Sequence, residues 1–178
     1  MDSLDNIIFK EKKNKVYFSL PSFGLTSKEW ISSFEKEYIK VDTNVKIILE
    51  SNDFVQTIDT TNMVILKGVL FNYKDRTNKS INNYALKENL FEPSIEHSCL
   101  VRYFFSDEIM RKMGFTRIIS MHKPITINHS ECLIQSSTGG TGYHLMTCSG
   151  RSDAPPYGVD VGFLYDASNL KNFKRFLK

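Results

Sequence analysis

His129-x2-Cys132 and His144-x3-Cys148 place four side chains able to ligate a metal or act as nucleophile and base within a 20-residue stretch. Thiolate and imidazole are ligands of tetrahedral zinc, and a Cys beside a His is the make-up of an activated thiol nucleophile. Spacing tests both ideas. A strand alternates its faces, so His144 and Cys148 share one, whereas His129 and Cys132 do so only if a turn intervenes. The sequence has no Cys-x2-Cys knuckle. No metal or other cofactor is therefore expected, and zinc held by His129, Cys132, His144 and Cys148 is the alternative. A small buried hydrophobe is the default for Cys99, Cys132 and Cys148. As catalysts, Cys148 with His144 or His122 are the candidates, but nothing in their spacing brings them together, and Ser136, Ser149 and Ser152 lack the Gly-x-Ser-x-Gly elbow.

These residues sit in or beside the most turn-rich part of the chain. Residues 135–158 hold five of the nine glycines and two of the five prolines. Thr138-Gly-Gly-Thr-Gly142 has the look of a phosphate loop, but a P-loop continues with Lys-Ser/Thr and then a helix. Here Tyr143-His144 and a strand pattern follow. A dinucleotide loop fails on spacing and on the missing helix. A hairpin connection is what remains, with Gly supplying positive φ. Functional groups concentrate on loops held by a rigid scaffold. Tyr143, His144, Arg151, Asp153 and Tyr157 are thus the candidates for binding a partner protein or a small anion, and Arg151 with Asp153 also suits a local ion pair.

Elements to carry these loops can be read from periodicity. Ile7–Phe9 and Val16–Leu20 read as a hairpin around a charged turn. A capping box at Thr26/Glu29 opens a helix with Trp30, Ile31, Phe34 and Tyr38 on one face. Asp42 caps a second, short helix. Asn62–Phe71 reads as a buried strand. Three more helices are expected from Thr77, Ser94 and Ser106, the last closed by Gly114. After Gly114 the period changes. Thr116–His122, Glu131–Gln135, Tyr143–Thr147 and Val159–Tyr165 look like four strands. The expected class is α+β in a single domain, residues 1–178: a helical N-terminal and middle region packed on a C-terminal antiparallel β-meander of about four strands. A short helix capped by Ser168 is expected to end it.

Composition bounds the rest. With 41% hydrophobic and 24% charged residues in 178, the chain is globular and can bury a core without staples. A net charge of +3 is mild, so nucleic acid is not demanded. Basic groups gather at Lys10/Lys12/Lys13/Lys15, Arg111/Lys112/Arg117 and Lys171/Lys174/Arg175/Lys178, interleaved with acids. Three cysteines without framework spacing fit a reducing compartment. The first residues carry no basic and apolar leader, and no apolar run approaches a membrane span of about 20 residues. A cytoplasmic protein without membrane contact is expected.

Thr26-Ser-Lys-Glu-Trp-Ile31, Leu66-Lys-Gly68, Asp75-Arg-Thr77, Cys99-Leu-Val-Arg102, Phe105-Ser-Asp-Glu108, Met113-Gly114 and Met121-His-Lys-Pro-Ile125 resemble, in order and spacing, a group of short bacterial proteins of uncharacterised function. The resemblance covers residues 25–125 and implies no activity. The C-terminal region of that group is richer in Trp and lacks the His/Cys set, a departure that counts against zinc. It directs attention to Arg102, which needs a partner inside an apolar helix, and to His122. A structural role in the core is the first expectation for both, and Arg102 also counts among the candidates for binding a partner protein or a small anion.

The expected function is that of a non-enzymatic interaction or accessory protein of a bacterium or its mobile elements, using the C-terminal sheet loops for recognition. One alternative is a small enzyme acting on a phosphate-bearing or acyl substrate through His144, Cys148 and Arg151. A second is a weak nucleic-acid binder using the basic termini.

Overall fold

Apolar residues fill both alternating sets of positions in the central strands, so the sheet must be covered on both sides. In the computed structural model, which describes residues 8–139, 142, 144–171 and 173–177, this is what is found. The strands are β1 (Phe9–Lys12), β2 (Lys15–Leu20), β3 (Thr61–Lys67), β4 (Arg117–Ile127), β5 (Ser130–Ser137), β6 (Leu145–Ser149) and β7 (Val161–Asp166). They form one sheet in the order β1-β2-β3-β7-β4-β5-β6. All neighbours are antiparallel except β4 and β7, which run parallel.

One side of the sheet carries Val16, Phe18, Met63, Ile65, Ile118, Ile134 and Leu164. Against it pack α1 (Ser27–Lys36), α2 (Thr43–Leu49), α4 (Ile95–Phe104) and α5 (Asp107–Lys112), through residues such as Trp30, Ile48, Cys99 and Met110. The other side carries Tyr17, Val64, Leu66, Ile119, Leu133 and Phe163. It is covered by Ile81 and Ala85 of α3 (Asn78–Lys87) and by the C-terminal residues Leu170 and Phe173. The helix caps follow local chemistry. Glu29 accepts the Thr26 N–H at 2.8 Å while Thr26 Oγ1 accepts the Glu29 N–H at 3.3 Å. Ser106 Oγ accepts the Ile109 N–H at 3.3 Å.

The α+β class holds, but the four-strand C-terminal meander does not. Only β4, β5 and β6 form one. β7 leaves them, returns past β4 and inserts between β3 and β4, fusing the N-terminal hairpin and the C-terminal strands into one seven-stranded mixed sheet. The reason lies in its composition. Val161-Gly-Phe-Leu-Tyr165 is a continuous apolar run, buried at every position, which suits a central strand covered on both faces rather than a half-solvated edge.

The terminal helix is also corrected. Asp166 Oδ1 accepts the Ser168 N–H at 2.7 Å, and the described residues after Ser168 form turns and a short 3-10 helix, Phe173–Arg175, in place of an α-helix. The chain then closes a series of i→i−3 bonds, Leu170 to Ala167, Phe173 to Leu170 and Phe176 to Phe173. A spacing of three keeps Leu170, Phe173 and Phe176 on one side. Phe176 stacks on Tyr17 with ring centroids 4.6 Å apart.

Candidate functional site

The sequence candidates fall into separate surroundings. His122 lies inside β4, at the register shift between Ser120 and Ile125. Its Nε2 accepts the Ile134 N–H at 3.1 Å, and its Nδ1–H donates to the Lys123 carbonyl at 2.8 Å. The imidazole replaces a ladder acceptor that the bulge removes. Burial pulls its pKa below the usual range. It is a structural residue, and so is Tyr157. The Tyr157 hydroxyl donates to Asn78 Oδ1 at 2.9 Å, and Asn78 Nδ2 donates to the carbonyls of Ser149 at 3.1 Å and Arg151 at 2.9 Å. The two side chains pin the 150–160 connection to the start of α3. Burial pushes the Tyr157 phenol well above its ordinary range.

Arg151 and Asp153 form a bidentate surface pair, with Nε to Oδ1 at 2.9 Å and Nη2 to Oδ2 at 2.7 Å. Both are exposed, and each satisfies the other. Cys148 belongs to the core cluster around Leu133 and Phe163, whereas Cys132 packs into the opposite core with Ile134. Burial pushes the Cys148 thiol up to about 12. His129 occupies the β4–β5 turn with φ +64°. The zinc alternative thus spreads over two faces and a turn, and among the described residues no group of three His, Cys, Asp or Glu could hold a metal ion. Tyr143 lies outside the described residues.

Arg102 and His144 do converge. Arg102, 5% exposed, pairs with Asp107 at 2.9 Å and donates to the Ser137 carbonyl at 3.1 Å. Arg111 reaches Asp107 at 3.4 Å and the Thr138 carbonyl at 3.1 Å. A Cβ on Gly139 would stand 3.1 Å from Asp107 Oδ2 and 3.3 Å from His144 Nε2. Gly139 has φ +78°, the left-handed conformation that glycine tolerates. The first glycine of the turn therefore lets the loop close over α5, with His144 beside it. Burial and the nearby Arg102 lower the His144 pKa, while Asp107 works against them.

His144 also faces away from Cys148, toward the α1–α2 linker. Its Nδ1 accepts the Lys40 N–H at 3.1 Å, and its backbone N–H donates to the Lys40 carbonyl at 2.9 Å. Asp42 N–H donates to Leu145 O at 2.9 Å, and Val41 bridges Leu145 in parallel. The linker is stitched along the outer edge of β6. Beside this seam lies a groove of about 570 Å³ lined by Glu35, Tyr38, Ile39, Lys40, Val41, Lys46 and Gly142. Tyr38 is 88% exposed, and its φ of +55° turns the chain out of α1.

The chain matches no family model, no curated protein and no solved structure.

Sequence reasoning missed the linker. Ile39 and Val41 fall outside both helical patterns, and only the pairing with β6 makes them walls. Ser106 marked the start of α5, but the reach of Asp107 to Arg102 was not legible. Arg102, buried in an apolar helix and in need of a partner, was the signal.

Proposed function

We propose that this chain is a binding module and that its recognition site is the groove between the α1–α2 linker and the Gly-rich turn. The observation that carries the reading is the lining of that groove. Tyr38, Ile39 and Val41 offer an open apolar floor of the size that takes one or two side chains. Lys40 stands exposed at its edge with no ion-pair partner among the described residues. Lys46 is tied to Glu35 at 3.2 Å. The complement is a protein segment presenting a bulky apolar side chain next to a carboxylate. Three free thiols and the absence, among the described residues, of a helix long and apolar enough to cross a membrane suit a cytoplasmic setting.

Selection of a random peptide display library on the purified protein tests this. Enrichment of sequences pairing an aromatic or aliphatic residue with Asp or Glu is expected, with binding weakened at least about tenfold by Tyr38→Ala or Lys40→Glu. Binders indifferent to both substitutions overturn it.

A second reading has one observation behind it. Lys12 Nζ lies 5.7 Å from the Phe176 ring, and Phe176 stacks on Tyr17. The basic N-terminal hairpin is thereby set against the C-terminal turn bearing Lys171, Lys174 and Arg175, all exposed. A surface of this kind suits phosphate backbones. Its mark is salt dependence: binding of a single-stranded oligonucleotide that does not weaken between 50 and 200 mM salt excludes it.

A further inference from the structure

On the opposite side of the sheet from the linker groove, a second cavity of about 580 Å³ opens between the C-terminal half of α3 and the end of β7. Its walls are apolar: Ala85, Leu86, Leu90 and Phe91. Leu86 is 68% exposed and Phe91 46%, although each stands beside well-packed neighbours. Tyr165, only 2% exposed, also lines the cavity, and its hydroxyl donates to Asn82 Oδ1. That bond leaves the Tyr165 oxygen able to accept, and leaves the Asn82 Nδ2 hydrogens without a partner among the described residues.

The remaining lining residue is Glu92, an exposed carboxylate with no ion-pair partner among the described residues. It is near enough to Tyr165 to add to the burial that pushes that phenol far above its ordinary range. Among the described residues no cation lines the cavity.

The walls are fixed before any ligand arrives. Phe91 N–H donates to Asp166 O and Asp166 N–H donates back to Phe91 O, both at 2.9 Å. The 90–92 segment is thus bridged to the end of β7, past the point where the β4 pairing stops at Leu164. Leu90 N–H is held by the Ala85 carbonyl at 3.0 Å, closing the end of α3. Preorganisation of this kind removes much of the ordering cost of binding.

We infer that this cavity is a site for a small primary amine with an apolar body, independent of the linker groove. The ammonium would lie between the Glu92 carboxylate and the Tyr165 oxygen, and over the Phe91 face. The apolar body would lie on Leu86 and Leu90. Asn82 Nδ2 is positioned to donate to a hydroxyl or carbonyl on the ligand, which would favour an amino alcohol over a plain amine.

The test uses 2-phenylethylamine against its near-isosteres 2-phenylethanol and 3-phenylpropanoate, followed by amide chemical shifts on the whole chain. Saturable shifts confined to residues 82–92 and 165–166 are expected with the amine, with at least about tenfold weaker binding of the alcohol and carboxylate. Glu92→Gln, a surface change that leaves the fold intact, should weaken the amine by a similar factor and leave the alcohol unchanged. Tyr165→Phe serves as the second variant, removing one acceptor while keeping the ring. Equal binding of amine and carboxylate, shifts centred elsewhere, no saturable binding of the amine, or an amine affinity indifferent to Glu92→Gln each overturns the inference. Because none of these residues touches the linker groove, failure here leaves the peptide reading standing, and the reverse.

Discussion

Trp30 Nε1–H donates to Glu96 Oε1 at 2.9 Å, joining α1 to α4 across 66 positions of sequence inside the first core. Glu96 is fully buried. Its other oxygen accepts the Thr57 hydroxyl at 2.6 Å and the Thr57 N–H, so this one carboxylate also anchors the segment before β3. Glu96→Ala should leave three donors unpaired and lower stability by about 3 kcal/mol. Glu96→Gln keeps an acceptor for Trp30 but turns an amide toward the Thr57 N–H, costing about 1–2 kcal/mol. Urea unfolding with an unchanged m-value reads both, and a Glu96→Gln protein as stable as the parent would contradict the assignment.

Three of the four histidines use a ring nitrogen to accept a backbone N–H. His97 Nδ1 accepts from Ser94 at 2.9 Å, His122 Nε2 from Ile134 at 3.1 Å, and His144 Nδ1 from Lys40 at 3.1 Å. Protonation puts a hydrogen where each bond must be. Burial is the first cause lowering all three pKa values. The folded chain therefore binds these protons less readily than the unfolded one. Their stabilising contribution is complete above the unfolded value of about 6.5 and is lost as pH falls through it toward the lower folded values. Thermal melts should show stability declining below about pH 6.5, by at most about 1.4 kcal/mol per pH unit for each histidine. His97→Gln restores an ordinary capping box at Ser94 and should flatten that decline by one proton. An acid limb of unchanged slope would count against it.

Much of the local structure was legible, because it is set by short-range chemistry. Thr26 with Glu29, Asp42 and Ser106 announce helix starts through orphan N–H groups, and Gly114 announces a stop. What sequence periodicity missed is non-local. The apolar run at 161–165 reads as a strand in any sheet position. Its insertion between β3 and β4 depends on partners almost a hundred residues away, such as Ile65 opposite Leu164. The candidate site divides in the same way. Arg102 could be flagged because a buried guanidinium demands a partner, and Arg151 with Asp153 because neighbours two apart can pair. The linker groove could not, since it exists only where Lys40–Asp42 meets β6.

Gly162 measures how tightly the inserted strand is packed. A Cβ there would stand 2.6 Å from Ile65 Cγ2 and 2.9 Å from the Phe115 ring. Ile65 is β-branched and stiff at χ1, so it cannot easily move aside. Gly162→Ala should cost about 2 kcal/mol by overpacking. Gly114→Ala meets nothing within 4 Å but must adopt φ +81°, and should cost about 1 kcal/mol. Chemical denaturation of the two variants side by side checks the order, and a milder loss at Gly162 would mean that β7 is not clamped between β3 and β4.

The three thiols decide what remains of a nucleophile reading. All are free, Cys99 and Cys132 are buried, and burial raises the pKa of each, that of Cys148 to about 12. At pH 8 the thiolate fraction of Cys148 is on the order of 10⁻⁴, far below that of an ordinary exposed cysteine. His144, its nearest sequence candidate for a base, is engaged with Lys40 instead. The native protein should therefore react with a disulfide reagent hundreds of times more slowly than a free thiol, and should release three equivalents only on unfolding. A rapid native reaction abolished by Cys148→Ser would restore the Cys148 nucleophile and count against a purely binding role. A slow reaction, unchanged by that substitution, places all three sulfurs among the packing groups of the two cores.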